Sequence, residues 1–195
     1  MRKVLFTILV LLMAVSLTQA QTDKGKIAIG VGGELAIPSG DAADAADLGM
    51  GFGGSARVEY GFSDKLVGFA DVGYLIWPGD EVTQSSFGGQ STTVTWDWSA
   101  ITVLGGVKYF FSKGFYVMGQ LGIHSFTFDM EVTGAGSQFF SGGSSSDSEF
   151  GFGAGAGYEL PLGKTMALDL TAKYVLAASD FNYIGVRAGL KFALK

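Results

Sequence analysis

The chain has 195 residues, of which 48% are hydrophobic and 16% charged, with 31 glycines, three prolines, no cysteine and a formal net charge of −5. So apolar a composition excludes a disordered polymer, and so much glycine argues against a helical bundle. The lack of cysteine excludes a disulfide scaffold, a thiolate metal site, a cysteine nucleophile and a lipidated N-terminal cysteine.

The first 20 residues have the three parts of an export signal. Arg2 and Lys3 supply the positive start, Val4 to Leu17 is mostly apolar, and Thr18-Gln19-Ala20 offers small residues for cleavage. The apolar run is short for a transmembrane helix, which needs roughly 20 residues. We therefore expect a signal peptide over 1–20 and one mature domain over 21–195. Losing Arg2 and Lys3 leaves 11 basic against 18 acidic residues, a net charge of −7.

From there the chain alternates, and successive side chains of a strand point to opposite faces. In 27–37, Ile27, Ile29, Val31, Leu35 and Ile37 oppose a row of small residues with Glu34. In 48–62, Leu48, Met50, Phe52, Ala56, Val58, Tyr60 and Phe62 oppose glycines, Arg57 and Glu59. In 66–77, Leu66, Ala70, Val72, Tyr74 and Ile76 oppose Val67, Phe69, Asp71 and Leu75. Around 101–111 the apolar row faces Thr102, Gly106 and Lys108; around 115–124 it faces Gln120, Gly122 and His124. Phe150, Phe152, Ala154, Ala156, Tyr158 and Leu160 oppose glycines ending at Glu159. Strand 166–176 sets Asp169, Thr171 and Lys173 against its apolar row, and 184–194 does the same with Arg187 and Lys191. A hairpin unit, with a charge near the end of an alternating strand and then a tight turn, recurs at 58–69, 107–117 and 158–168.

Eight strands whose second face is glycine-lined fit a narrow interior, since eight strands leave just enough room for side chains to fill it. A soluble lipocalin-like barrel would instead carry a mixed, charged outer surface. The apolar rows are therefore expected to face lipid in an eight-stranded antiparallel transmembrane up-and-down β-barrel. Short links at 63–65, 112–114 and 161–164 alternate with long ones at 38–47, 78–92 and 131–147 and a modest one at 177–182, as expected of periplasmic turns and extracellular loops. Trp77, Trp96 and Trp98 at the loop end, with Tyr60, Phe62, Tyr109, Phe111, Phe115, Tyr158 and Phe192 at the turn end, are expected to form the two interfacial girdles. The parity of Trp96 and Trp98 calls for a bulge near Ser99, or for a strand that has already left the membrane.

The charges sort by position. Glu34, Glu59, Asp71, Glu159 and Asp169 share the inner face with Arg57, Lys108, Lys173, Arg187 and Lys191, so a salt-bridge network is the expected solution for so confined a space. It reads as a plug, or alternatively as a polar path. The loop end carries Asp41, Asp44, Asp47, Asp80, Glu81, Asp97, Asp129, Glu131, Asp147, Glu149 and Asp180 and no basic residue. Such a face disfavours nucleic acid and admits a cation or a basic extracellular partner, the Asp41/Asp44/Asp47 spacing being a weak signal for the former. Ser141 to Ser146 reads as a loop tip. His124 beside Ser125 is the one catalytic candidate, but its parity places it in the lumen. The glycine runs at 49–51 and 151–155 precede no helix and so are not nucleotide loops. No cofactor or metal is expected, and no enzymatic activity.

These features together resemble the small outer-membrane β-barrel family of OmpA/OmpX-like and opacity-type proteins, over residues 27–194. The last strand, Tyr183 to Lys195, resembles the signal read by the barrel-assembly machinery, although it ends in Leu194-Lys195 and not in an aromatic. The resemblance implies a monomer in the lipid of a Gram-negative outer membrane, with a structural or surface-interaction role. It implies no catalytic residue. The alternatives it leaves are a narrow porin-like conduit and, less so, a lipid-modifying enzyme.

Overall fold

The computed structural model describes residues 22–40, 48–85, 91–134, 143–177 and 181–194. The expected leader, Asp41, Asp44, Asp47, Ser141, Gly142 and Asp180 lie outside the described residues, as do the side chains of Asp80 and Glu81. The eight strands are β1 (Ile27–Ser39), β2 (Gly51–Gly61), β3 (Leu66–Ser85), β4 (Ser91–Phe110), β5 (Phe115–Gly134), β6 (Gly143–Pro161), β7 (Met166–Leu176) and β8 (Asn182–Ala193). Each pairs antiparallel with its neighbour in sequence, and β8 returns to β1, so the sheet is a closed barrel. Closure leaves no unpaired edge within the membrane zone, which is what lipid requires of a spanning backbone.

Following register partners once around the barrel leads from Ala28 through Glu59, Phe69, Gly106, Gln120, Gly153, Val175 and Tyr183 to Pro38, ten residues farther along β1. That stagger tilts the strands and brings inward side chains distant in sequence to one height. The period-two pattern then sets both surfaces. Val31, Phe52, Val103 and Leu121 stay more than half exposed on the outside, where lipid covers them, while Glu34, Arg57, Lys108 and Asp169 are buried inside.

Three features depart from the sequence reading. First, much of the long links 78–92 and 131–147 is strand. β3 and β4 stay paired out to Ser85 and Ser91, β4 and β5 out to Gly134, and β5 and β6 out to Gly143. Beyond the membrane zone no face has to meet lipid, so the apolar alternation stops, while Thr still favours the pleated backbone. Second, the bulge lies on β3, between Pro78 and Glu81, and β4 runs without interruption past Ser99. Proline cannot donate to a ladder and is accommodated at such irregularities. Third, Trp77 and Trp98 point into the barrel and do not form a lipid-facing girdle: Trp77 is fully buried and Trp98 is half-buried against the same cluster. Leu48 joins that cluster and Leu160 is also buried, so neither belongs to the lipid face. The turn-end aromatics Tyr60, Phe62, Tyr109, Phe111, Phe115 and Phe192 do face outward.

The lumen as candidate functional site

All ten inward charges named from the sequence are buried, and the structure divides them into a linked set of eight and a separate pair. At the centre of the set is Lys108 on β4, whose Nζ lies 2.6 Å from Glu59, 3.0 Å from Glu159 and 2.9 Å from Asp169. Lys191 joins Glu159 and reaches Glu59 at 3.4 Å. Arg57 donates to Asp71, its register partner, at 2.9 Å and to Asp169 at 3.4 Å. Arg187 approaches Asp169 at 3.5 Å and donates from Nε to Ser55 Oγ at 2.9 Å. Glu34, although the register partner of Arg187, pairs instead with Lys173 at 2.9 Å.

The electrostatics follow from the register. Glu159 and Asp169 are direct cross-strand partners, a destabilising juxtaposition of like charges. The Lys108 ammonium between them reverses its sign. Glu59, Glu159 and Asp169 offer oxygens within 4.8 Å of one another, a spacing that could hold a metal ion, but Lys108 contacts all three carboxylates. Tyr116 completes the group: its hydroxyl donates to Asp169 Oδ1 at 2.6 Å, and its ring lies 4.5 Å from Lys108 Nζ. Arg57 sits 4.5 Å over the Phe69 ring in the same way.

The glycine rows read from the sequence now have a volume argument. A side chain from a neighbouring strand lies across several of these sockets. A Cβ on Gly185 would come 2.5 Å from Glu34 Oε1 and 2.8 Å from Lys173 Cε; one on Gly32 would come 2.9 Å from Arg187 Cζ. Tyr116 likewise lies over Gly157, and Trp77 over Gly51. Eight strands can hold this many large polar groups because the opposing positions are empty of side chains.

Toward the loop end the polar lumen gives way to rings. Trp77 packs edge-on to Phe181 and Tyr183 at centroid distances of 5.2 and 5.7 Å and against Phe126 at 6.4 Å. Trp98 stacks on Phe181 at 6.0 Å and meets Phe128 at 5.9 Å. At the turn end, Val67, Phe69, Phe110, Tyr116 and Met118 form a second buried cluster. Between the two, Gln120 and His124 are buried with no hydrogen-bond partner among the described residues. Ser125 lies on the opposite face of β5 and accepts from the Ser148 hydroxyl, so it does not meet the His124 ring. Sequence reasoning missed Tyr116, Trp77 and Phe181 as lumen residues. Parity was the available signal for the first two: Tyr116 shares a face with Gln120, and Trp77 with Asp71.

A closed barrel of eight strands, apolar outside and filled with paired charges inside, defines the class of small transmembrane barrels of the outer membrane. The chain belongs to the outer membrane protein beta-barrel domain family, whose model matches residues 6–192. It is an outer-membrane protein. Among solved structures it is similar to Ail, the attachment invasion locus protein of Yersinia pestis in complex with the heparin analogue sucrose octasulfate, with a TM-score of 0.61 and 15% identity over 88% of this chain and 99% of that one. It is also similar to Neisserial surface protein A, with a TM-score of 0.50 and 14% identity over 85% of this chain and 96% of that one. No curated protein sequence matches the chain.

Proposed function

We propose that the protein is a closed, monomeric, non-enzymatic barrel that anchors in outer-membrane lipid and presents an acidic surface to cationic extracellular partners. The observation that carries this reading is the segregation of charge. Every inward cation is spent on an inward carboxylate or hydroxyl, while the outer stretches 77–100 and 124–150 carry Asp97, Asp129, Glu131, Asp147 and Glu149 among their acids and no Lys or Arg. Asp97 and Asp129 are direct register partners, and both are exposed. Like charges placed opposite one another cost stability and gain from an outside cation.

A polyanion of the kind Ail binds would be repelled by this surface. Folded protein in zwitterionic nanodiscs should therefore bind immobilised polylysine, with retention that falls as salt is raised, and should pass through immobilised heparin. Retention on heparin with none on polylysine would overturn the proposed partner class. Assembly through the barrel machinery, guided by the last strand, belongs to the same reading.

A narrow conduit is the second reading. The unpartnered polar atoms of Gln120 and His124, with Nη2 of Arg57 and of Arg187, favour it, because buried polar groups without partners are costly unless wetted. An enzymatic role draws no support from His124, which packs on Phe126 and Tyr183.

A further inference from the structure

We propose that Thr22–Lys26 is a strap that closes the periplasmic mouth of the lumen, and that its seat depends on the missing side chain of Gly61. The segment precedes β1 and turns back beneath it. Gly25 takes a left-handed φ of 78°, the Lys26 N–H donates to the Asp23 carbonyl at 3.0 Å, and Lys26 pairs with Asp23 at 3.0 Å. Two backbone bonds tie the turn to the end of β2: the Gly25 N–H donates to the Gly61 carbonyl at 2.8 Å, and the Gly61 N–H to the Lys26 carbonyl at 3.1 Å.

The consequence is an inserted side chain. Thr22 is 2% exposed, far from the exposure of its neighbours Asp23 and Lys24. Its hydroxyl donates to Glu59 Oε2 at 3.2 Å and accepts from Lys191 Nζ at 3.5 Å. Both partners belong to the linked set of eight, so the strap completes the network from below. Gly61 leaves the room: a Cβ there would meet the Asp23 carbonyl oxygen well inside contact and the Thr22 carbonyl oxygen at 2.8 Å. The outer closure is a cluster of packed rings. At the inner end the rings of Phe69, Phe110 and Tyr116 stay packed, whereas the strap beside them is held by a hydroxyl and two backbone bonds, so the strap is the part that opens first and admits periplasmic water to Lys191 and Glu59.

The strap presupposes the closed lumen, and single thiols separate the two ideas because the chain has no cysteine. Thr22→Cys, Lys24→Cys and Thr102→Cys would each be folded in lipid, checked by heat-modifiable electrophoretic mobility, and labelled with a water-soluble maleimide. Thr102, deep in the lumen, is buried, and Lys24 is exposed. Cys at 22 and 102 should react on the order of a hundredfold more slowly than Cys at 24, as expected when reaction waits on local opening. Adding Gly61→Ala should accelerate position 22 alone; Gly25→Val, which strains the turn, is the second route should the first variant fold poorly. Rapid labelling at 22 with slow labelling at 102 would discard the strap and leave the closed lumen standing. Rapid labelling at both would discard both, and continued protection at 22 in folded Gly61→Ala and Gly25→Val proteins would remove the stated seat.

Discussion

Replacing Lys108 by methionine is expected to destabilise the folded barrel by about 3–5 kcal/mol, the usual cost of leaving buried carboxylates without their cation. Methionine keeps most of the volume, so the loss reports charge and not packing. Glu59, Glu159 and Asp169 each lie within 3.0 Å of the Lys108 ammonium, and none can turn to water inside the lumen. Urea unfolding in lipid vesicles measures the effect. Adding Asp169→Asn to Lys108→Met should recover part of the loss, since one uncompensated charge goes with it. An unchanged unfolding midpoint for Lys108→Met would mean that the carboxylates are not held by this cation. Arg187 is a weaker probe of the network, since it touches it only at 3.5 Å and also donates to Ser55. Lys108 is the better probe because three carboxylates converge on it.

Replacing Trp77 by alanine should cost a similar amount, about 3–5 kcal/mol for deleting a buried indole. The ring is fully buried, lies on Gly51, and touches three other rings. Its removal also opens the outer seal, so Trp77→Ala should combine a lower unfolding midpoint with solvent access to His124. Trp77→Phe should lose much less, because a ring still packs against Phe181 and Tyr183. A girdle residue facing lipid would respond to neither change in this way, and equal stability of all three proteins would contradict the closure.

The exterior and the identity of the lumen charges were legible because a period of two is unambiguous. Once one face of a strand is assigned, Glu34, Arg57, Lys108 and Asp169 can only point the other way. Which charge meets which was not legible. Lys108 and Asp169 stand on β4 and β7 and meet only through closure with its ten-residue stagger, a property of the whole barrel and of no local segment. The aromatic seal was misread for a different reason. Tryptophans at strand ends usually serve the membrane interface, and that expectation outweighed the parity that Trp77 shares with Asp71 and Leu75. The paired stretches of β3 to β6 outside the membrane were invisible for want of any apolar alternation, although Thr83, Thr93 and Thr133 fall in one register row across three strands. Thr22 could not have been found at all, since a turn around Gly25 and an empty position on β2 bring it into the lumen.

A barrel sealed at both ends around a neutralised ionic core passes no ions, and single-channel recording of the folded protein in planar bilayers decides whether this one is sealed. The closed lumen predicts a silent bilayer for a protein whose heat-modifiable mobility proves it folded. Steady unitary openings from the same preparation would contradict the seal and make the polar lumen a conduit.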